Sequence, residues 1–439
     1  MAKPQHEIRD PIHGFIRLTT EERKVLDSRP LQRLRYIHQL AMAYLVYPGA
    51  THRRFEHSLG VMELAGRVFD VVTNADNLQS AIARDIVGSH KSRLDYWRQV
   101  VRLAALCHDI GHLPFSHAAE DLLPPGWKHE RITDGLITGS EMKSFWDDAK
   151  VQAEDVTKLA IGPKEFGPKK HRTVEFTPWE RILSEIIVGD AFGVDRMDYL
   201  LRDSYHAGVA YGRFDHLRLI DTLRILPHPE NEDEPLLGIE EGGIHAAEAL
   251  LMARFFMYKQ VYFHDVRRAY DYHLTEFLKQ WLKPEGRFPT GPTEHLARSD
   301  NEVLAAITLA ASDRKLNGHI HAARIVNRKH FRLIYERNPI DRAVNVASAK
   351  QIESNLAGEF GAENVHYFTY LPKSNSIDFP VLLADGRAVS SVNLSELLNR
   401  TPPVSVEFVF IAPEQEAKAK KHLAKHKDEI IKPCDEKSE

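Results

Sequence analysis

The chain is poor in cysteine and lacks any long apolar run. Only two of its 439 residues are cysteines, Cys107 and Cys434, and their wide separation gives no indication of a disulfide framework. No stretch reaches the roughly 18 apolar residues of a membrane-spanning helix. The N-terminal "MAKPQHEIRD" has no apolar core of a signal peptide. These absences predict a protein of the reducing cytoplasm that requires no membrane.

An excess of basic charge is also missing. The 58 lysines and arginines are balanced by 62 acidic residues, which gives a formal net charge of -4. The composition therefore gives no reason to expect nucleic acid as a required partner. Hydrophobic residues make up 43% and charged residues 27% of the chain, as in globular proteins. At this length a large core is expected, in two or three units or in one large helical domain with appendages.

Helical periodicity dominates the chain up to about residue 320. After a short extended piece, Thr19 or Thr20 is positioned to cap a helix whose first turn is acidic. Apolar residues then recur at three- and four-residue spacing in "LQRLRYIHQLAMAYLVY", "FEHSLGVMELAGRVFDVVTNA", "DYWRQVVRLAALCHDIGH", "WERILSEIIVGDAF", "VDRMDYLLRDSYHAG" and "HAAEALLMARFFMYKQVYFHDVRRAYDYHLTEFLKQWL". The fold class predicted from this pattern is mainly α.

Strand-like segments follow the helical part. "VHYFTYLP", "FPVLLADGRAVS" and "PVSVEFVFIAP" are β-branched and aromatic runs interrupted by Asp-Gly and Pro. We therefore expect an N-terminal segment at 1–45, a helical core at 46–320 and a small C-terminal α/β subdomain with a charged tail at 321–439. Glycine, proline and lysine near 139–180 predict an exposed insertion in the core.

The stretch "LAALCHDIGHLPFSHAAE" carries three histidines and an aspartate within ten positions, directly behind an apolar run. Burying polar groups without partners costs roughly 2–7 kcal/mol each, so we expect these side chains to have specific interaction partners. His108 and Asp109 are adjacent, and both reach one point only if that point lies off the helix end or flank. A metal ion satisfies this geometry, and imidazole with carboxylate suits Mn, Fe, Zn or Ni. His57 and Asp195 would complete a set that leaves positions open for water or phosphate oxygen.

Six segments, in this order and spacing, resemble the HD-domain deoxynucleoside triphosphate triphosphohydrolases. They are "DPIHGFIRL", "LQRLRYIHQL", "VYPGATHRRFEHSLGV", "HDIGHLPFSH", "VDRMDYLLRDS" and "ARFFMYKQVYFH". The resemblance covers about residues 6–275 and implies an HD-domain helical core. It also implies hydrolysis of a dNTP to deoxynucleoside and inorganic triphosphate with a divalent metal (Mn, Fe, Mg, Zn or Ni). The metal ligands it implies are His57, His108, Asp109 and Asp195.

The resemblance further implies a proton-transfer group. His117 matches the general acid toward the leaving oxygen, Glu120 the residue that orients it, and His129 its neighbour. Glu120 stands where a relative has aspartate, which changes the reach of the side chain and keeps its charge. An imidazole beside a carboxylate fits general acid catalysis near neutral pH.

Other matched positions imply a nucleotide pocket. Arg54 and Arg254 match arginines on the triphosphate, and Arg196 stands in place of a phosphate-binding lysine. Gln39 and Asp203 match residues that bond the sugar 3'-hydroxyl, and Tyr199 matches the aromatic ring against C2' of the deoxyribose. The complete predicted substrate set is Gln39, Leu40, Arg54, His112, Arg196, Tyr199, Asp203, Arg254, Tyr258 and Tyr262.

An effector site between subunits is implied as well. Its matched positions are Asp27, Gln32, Arg35 and Arg218, which predict a homo-oligomer, a tetramer or dimer, with a possible dNTP effector. Two residues depart from the family pattern: His6 replaces a phosphate-binding lysine, and Asp265 replaces the lysine that follows His264. A carboxylate there disfavours a triphosphate, so we expect weakened phosphate affinity or a different effector.

Two other functions remain open from the sequence. One is hydrolysis of another phosphoester, such as a deoxynucleoside monophosphate, an alarmone or single-stranded nucleic acid. The other is a non-catalytic scaffold that senses dNTPs. Among the remaining polar residues, we interpret Asp198 and Arg202 as an ordinary i,i+4 helix pair. We assign no role to His38 or His206.

Overall fold

A computed structural model describes residues 6–167, 170, 172–229, 231–371 and 377–432, except the side chains of residues 117, 232 and 233. The described residues form two compact units, each assembled from separate stretches of sequence. The first unit contains residues within 6–257, 287–303 and 377–402, and the second contains residues within 258–286, 304–371 and 403–432. Because both units are discontinuous, the boundaries expected at residues 45 and 320 stay predictions about sequence texture.

The chain is mainly α-helical, as its periodicity predicts. Its helices are α1 (Thr20–Leu26), α2 (Arg29–Arg33), α3 (Arg54–Val72), α4 (Ala81–Ser89), α5 (Leu94–Cys107), α6 (His117–Glu120), α7 (His129–Ile137), α8 (Ser140–Ala149), α9 (Ala153–Ile161), α10 (Pro178–Val188), α11 (Val194–Ala207), α12 (His216–Thr222), α13 (Ile244–Met257), α14 (Asp265–Trp281), α15 (Pro292–Leu296), α16 (Asp300–Ser312), α17 (His319–Val326), α18 (Pro339–Val344), α19 (Ser348–Phe360), α20 (Glu396–Arg400) and α21 (Glu416–Ile430). Within the described part of the chain, none of these helices has the length and apolar character needed to cross a membrane.

The strands of the described residues form three sheets. They are β1 (His6–Asp10), β2 (Gly14–Leu18), β3 (Leu223–His228), β4 (Asn231–Glu240), β5 (Arg332–Glu336), β6 (Val365–Tyr370), β7 (Pro380–Leu382), β8 (Ala388–Ser390) and β9 (Val406–Ile411). The first unit holds the hairpin β1-β2 and the sheet β3-β4-β7-β8, and the second holds the antiparallel sheet β5-β9-β6. A core cluster in the second unit joins buried residues of this sheet with others from α19 and α21, so a small α/β assembly is present there.

The strands of "FPVLLADGRAVS" do not belong to that C-terminal assembly. Their first strand, β7, pairs in parallel with β4, so residues 380–390 extend the sheet of the first unit. The hairpin β3-β4 itself carries no prediction from the sequence. Local strand propensity identifies a strand but does not specify its partner, which explains the incorrect assignment to the C-terminal subdomain.

The N-terminal cap of α1 follows the sequence signal closely. The Thr19 hydroxyl accepts from the Glu22 amide at 3.2 Å, and the Glu22 carboxylate accepts from the Thr19 amide at 2.9 Å. This reciprocal pair satisfies two amides that the helix start would otherwise leave without partners.

The apolar segment "LQRLRYIHQLAMAYLVY" is only partly helical, contrary to its periodicity. After α2 it forms short 3₁₀ turns at Leu34–Tyr36 and Ala43–Leu45. Between them the backbone pairs with the approach to α3: the Gln39 amide donates to the His52 carbonyl, and the Arg54 amide donates to the Ile37 carbonyl. This long-range pairing replaces the local i→i−4 bonds that a continuous helix would need.

The segment near 139–180 is not an exposed insertion in its first half. It contains α8 and α9, whose apolar faces bury Met142, Trp146, Val156 and Leu159. The helices are short and amphipathic, so a weak overall periodicity conceals two packed faces. The expectation of an exposed segment is therefore corrected for residues 140–161.

Candidate metal centre

The four predicted metal ligands come from three helices of the first unit. His57 lies in the first turns of α3, His108 and Asp109 follow the end of α5, and Asp195 lies in the first turn of α11. One ligand atom from each of His57, His108 and Asp109 lies within 4.8 Å of the other two. The Asp195 Oδ1 atom lies 3.0 Å from His57 Nε2 and 3.6 Å from His108 Nε2. The fold thus brings together all four side chains.

The free nitrogen of His108 tests whether these residues fit a metal. Its Nδ1 donates to the Ala105 carbonyl at 2.7 Å, which leaves the Nε2 lone pair directed at the cluster. This Nε2 atom is buried and has no hydrogen-bond partner among the described residues. A buried nitrogen lone pair beside two carboxylates is unfavourable unless a cation is bound. The donor set therefore fits a divalent ion of the borderline class.

A buried ionic network fixes the orientation of His57. Its Nδ1 hydrogen-bonds to Asp198 Oδ2 at 2.7 Å, and the other Asp198 oxygen bonds to His13 Nε2 at 2.6 Å. Arg202 donates to both Asp198 oxygens at 2.8 and 2.9 Å and to Asp10 at 2.8 Å. Asp198 and Arg202 are both fully buried.

This network corrects the interpretation of Asp198 and Arg202 as an ordinary helix pair. They are an i,i+4 pair, but their partners make Asp198 the carboxylate that orients the imidazole of His57, a predicted metal ligand. One signal was available in the sequence, because Asp198 lies three residues after Asp195 and so on the same face of α11. His13 had no such signal.

Gly60 allows α11 to approach α3 at this point. A Cβ atom on Gly60 would lie 1.9 Å from Asp198 Oδ1 and 2.5 Å from the Arg202 guanidinium. Any side chain would therefore displace the network that holds His57. The site therefore requires a residue without a side chain at position 60, three residues after His57.

The cluster is strongly charged. Burial opposes protonation of His57, but its hydrogen bonds to Asp195 and Asp198 raise its pKa to about 10. Burial likewise disfavours the Asp109 carboxylate, but the Arg54 guanidinium above all, with the rings of His108 and His112 beside it, holds the pKa of Asp109 well below the usual range. The ionised carboxylates beside these histidines favour the binding of a cation in the cluster. A metal bound here would displace the proton of His57.

A strained turn connects the metal ligands to α6. Phe115 and Ser116 have positive φ angles of 56° and 54°, a conformation that costs of order 1–3 kcal/mol in a residue other than glycine. The buried Asp300 holds the turn, since it accepts from the Phe115 amide at 2.8 Å and bonds to His38 Nδ1 at 2.5 Å. His38 therefore supports the site, although no feature of the sequence had indicated a role for it.

The predicted proton-transfer residues partly come together. Glu120 Oε1 lies 2.7 Å from His129 Nδ1, and the His129 ring stacks on His112 with centroids 3.9 Å apart. Burial opposes protonation of His129, but the Glu120 carboxylate raises its pKa. Burial and the Arg54 cation lower the pKa of His112. His117 is the first residue of α6, but its side chain lies outside the described residues.

One predicted substrate residue, Arg54, contacts this cluster, and two others, Gln39 and Asp203, meet at His52. Arg54 is ion-paired with Asp109 and donates to the Ser116 hydroxyl at 2.7 Å. Asp203 Oδ1 lies 2.7 Å from His52 Nε2, and the Gln39 amide donates to the His52 carbonyl. The structure thus places His52, which carried no sequence signal, between Gln39 and Asp203.

The other predicted substrate residues are distributed over both units. Leu40 is buried, Tyr199 and Arg196 are half-buried on α11, and Arg254 lies near the end of α13. Arg196 donates to the Gly189 carbonyl at 3.3 Å. Tyr258 and Tyr262 belong to the second unit, where their rings are in contact.

The predicted effector residues do not form one group in the single chain. Arg35 donates to the Gln32 side chain at 2.9 Å, whereas Asp27 pairs with Arg23 and Arg218 donates to the Gly242 carbonyl. His6 begins β1, and Asp265 begins α14 with its carboxylate 3.1 Å from His264. The role of these positions stays a prediction about an assembly of several chains.

Comparison with known families identifies the class of protein. The HD domain model matches residues 54–201, which contain all four proposed metal ligands, and the HD associated region model matches residues 214–381. A crystal structure of a hypothetical protein from Aquifex aeolicus superposes with a TM-score of 0.77 at 32% identity, covering 96% of this chain and all of that one. The chain belongs to the HD-domain family, with the associated region that follows the domain, and is a metal-dependent HD phosphohydrolase.

The chain is similar to two curated relatives, one of which is uncharacterized and one of which is a named enzyme. An uncharacterized protein of Methanocaldococcus jannaschii is 32% identical over 81% of this chain and 67% of its own length. Deoxynucleoside triphosphate triphosphohydrolase SAMHD1 of Bos taurus is 28% identical over 82% of this chain and 65% of its own length. The match thus spans about two thirds of each relative.

Proposed function

We propose that this protein hydrolyses dNTPs to deoxynucleosides and inorganic triphosphate. The observation that carries the proposal is the convergence of His57, His108, Asp109 and Asp195, with the buried His108 Nε2 directed at the cluster. The similarity to SAMHD1 enzymes supports the choice of substrate.

The cluster would hold the divalent metal, and Arg54 would neutralise phosphate beside it. A bound metal supplies Lewis acidity toward a phosphoryl oxygen and lowers the pKa of water. Arg54 already lies against Asp109, so its guanidinium is next to the position proposed for the metal and the phosphate. Arg196 and Arg254 are proposed to contact the rest of the triphosphate.

The proton for the departing 5'-oxygen is proposed to come from His117 on α6. Glu120, on the same helix, and His129 form a hydrogen-bonded pair whose imidazole has a raised pKa. Such a pair can hold a proton near neutral pH and orient the acid. His112, whose pKa is lowered, supplies a neutral ring against which His129 stacks.

Selection of the deoxy sugar is proposed to involve Tyr199, Gln39 and Asp203. The Asp203 carboxylate and the backbone amide of Gln39 are both bonded to His52, so the carboxylate and this part of the backbone are oriented before the sugar arrives. A buried ribose hydroxyl without a partner would cost a few kcal/mol at most, so the preference for deoxyribose is strong but finite.

Product analysis tests the proposal. Each dNTP is incubated alone and with the other dNTPs, in Mn²⁺ or Mg²⁺, and the phosphate products are separated by chromatography. Release of intact triphosphate is expected, with loss of activity in His108→Ala. Release of pyrophosphate or monophosphate would show a different phosphoesterase, and binding without any turnover would show a sensing scaffold.

The same assay addresses effector control and assembly. We propose a homo-oligomer, a tetramer or dimer, with an effector site that includes Asp27, Gln32, Arg35 and Arg218. Turnover of dATP is titrated with dGTP in the wild type, Arg35→Ala and Asp265→Lys. If dGTP changes the rate in neither the wild type nor Asp265→Lys, the effector site does not function in this chain.

A further inference from the structure

The first unit contains a cleft lined by arginines, and none of the predicted metal ligands lines it. It is a cleft of about 280 Å³ between α2 with the turn Leu34–Tyr36 and the segment 296–302. Three of its lining residues are arginines, Arg29, Arg33 and Arg298, and one is acidic, Glu302. The Glu302 carboxylate accepts from the Ser299 amide at 2.8 Å and from the Ser299 hydroxyl at 2.6 Å. Positive charge is therefore in excess in this cleft.

Arg33 is the buried element of the cleft, with only 5% of its surface exposed. Its Nε donates to the Arg298 carbonyl at 2.7 Å, and its Nη1 donates to the His112 carbonyl at 2.9 Å. Its Nη2 atom is buried and finds no acceptor in the described part of the chain. Two carbonyls orient the guanidinium without neutralising it, so a residue that lines the cleft retains an unsatisfied charged donor.

The carboxylates nearest to Arg33 are engaged elsewhere. Asp300 accepts from the amides of His38 and Phe115 at 2.8 Å each, and Glu302 is bonded to Ser299. Burial accordingly lowers the pKa of Arg33 to about 10, although both carboxylates act to raise it. An anion that entered the cleft would relieve this electrostatic cost.

We propose that this cleft binds a phosphate-bearing anion through Arg33, Arg298 and Arg29. Guanidinium groups bind phosphate oxygens through pairs of parallel hydrogen bonds, which a planar fork such as Arg33 can supply with its remaining N–H groups. The cleft volume admits a phosphate group alone or a small phosphorylated molecule. The half-exposed ring of Tyr36 in the lining offers a surface on which a nucleotide base can stack.

This site differs from both sites already described. None of the four metal ligands lines it, and of the predicted effector residues Gln32 does, whereas Asp27, Arg35 and Arg218 do not. Arg33 links it to the metal centre, because the same guanidinium holds the carbonyl of His112 in the strained turn. The proposal stands on the cleft itself and does not depend on which phosphoester the metal centre hydrolyses.

Calorimetric titration of the metal-loaded protein with inorganic phosphate tests the proposal. Replacing both Arg29 and Arg298 by glutamine is expected to weaken phosphate binding at least tenfold, since two charge-assisted contacts are lost. Arg400→Gln is the matched control, because Arg400 is an arginine of the same unit whose side chain is 78% exposed; its Kd for phosphate should equal that of the wild type. Glu302→Gln is expected to tighten binding, because it removes the only acidic side chain among the lining residues.

His108→Ala separates this site from the metal centre. Phosphate binding that persists in His108→Ala and is lost in the Arg29/Arg298 variant supports the cleft. Binding that disappears in His108→Ala, or that is unchanged in the Arg29/Arg298 variant with native circular dichroism, overturns the proposal. If that double variant does not fold, the response of Glu302→Gln decides, since unchanged or weakened binding there also overturns it.

Two further titrants identify the source of the phosphate. Deoxyadenosine monophosphate and inorganic triphosphate are titrated into His108→Ala, where the metal centre is disabled. A tighter Kd for the nucleotide that is lost in Tyr36→Ala assigns the cleft to nucleotides. Equal or tighter binding of the inorganic anions assigns it to free phosphate or polyphosphate.

Discussion

Histidines have opposite surroundings in the two units. In the first unit many of them contact carboxylates: His13 and His57 contact Asp198, His38 contacts Asp300, His52 contacts Asp203, and His129 contacts Glu120. In the second unit His273 Nδ1 lies 3.1 Å from His321 Nδ1, and the His366 ring stacks on Tyr272 with centroids 3.9 Å apart. The buried imidazoles named in the first unit are thus paired with carboxylates, whereas His273 and His366 of the second unit contact other rings.

The difference shows in protonation. Burial above all, with the neighbouring imidazoles and Arg324, lowers the pKa of His273 to about 2, whereas carboxylates raise that of His57 to about 10 against the effect of burial. The Phe331 amide donates to His273 Nε2, so this ring is neutral and carries its proton on Nδ1. The number of histidines therefore does not identify a metal centre; the carboxylates beside them do.

The largest expected effect is the loss of a ligand from the first unit. His108→Ala and Asp109→Asn should each lower kcat at least about 100-fold, because the metal contributes several kcal/mol to the transition state. Asparagine is chosen at 109 since it leaves a hydrogen-bond acceptor for the buried Arg54. Metal content by mass spectrometry and turnover measure the effect, with His366→Ala of the second unit as the control that keeps both. Turnover above a tenth of the wild type in His108→Ala would contradict the ligand assignment.

A smaller effect is expected from substitution of Gly60, the residue that permits the contact between Asp198 and His57. Gly60→Ala forces a Cβ atom onto Asp198, so we expect metal affinity to fall about 10–100-fold and stability to fall by about 1–3 kcal/mol. Gly88→Ala on α4 is the control, because none of the described atoms lies within 4 Å of its added Cβ. That change should raise helix stability by up to about 1 kcal/mol. Equal metal affinities in the two variants would show that Asp198 does not position His57.

The neutral histidines of the second unit predict acid sensitivity. The folded pKa of His273 lies near 2 and its unfolded value near 6.5, so the unfolded chain binds the proton first. Stability from this residue is present above pH 6.5 and is lost as the pH falls, by at most about 1.4 kcal/mol per pH unit.

Hydrogen exchange of the β6 and β9 amides between pH 7 and 5 measures this loss. His273→Gln, which keeps an acceptor for the Phe331 amide, should reduce the slope. An unchanged slope would place the acid sensitivity at other groups of the second unit.

The smallest expected effect concerns a buried carboxylate of the first unit that is not paired with a histidine. Glu185 has no histidine partner among its described contacts. Burial raises its pKa to about 7 although the Leu237 amide donates to it. Because the folded pKa exceeds the unfolded value of 4.5, stability is full below pH 4.5 and is lost as the pH rises through 7. Glu185→Gln should remove this dependence, measured by denaturant unfolding from pH 4.5 to 8; a decline that persists unchanged in the variant would exclude Glu185 as its source.

Much of the helical fold follows from local pattern. The cap at Thr19, the helices that carry His57 and Asp195, and the helix that ends just before His108 lie where periodicity and capping chemistry predict them. The choice of ligand types also follows from sequence, because imidazole beside carboxylate suits a borderline divalent metal and the ordered segments around these residues resemble the HD-domain family. These features depend on residues close together in the chain, so sequence alone determined them.

The tertiary structure decided what depends on distant partners. The segment after α2 forms hydrogen bonds with residues 52–54 in place of the local bonds of a helix. Residues 380–390 extend the sheet that contains β4. Asp198 became the carboxylate that orients His57 only because Gly60 lets α11 approach α3. In each case two segments far apart in sequence compete with local preference, and the outcome depends on packing and buried hydrogen bonds that periodicity does not record.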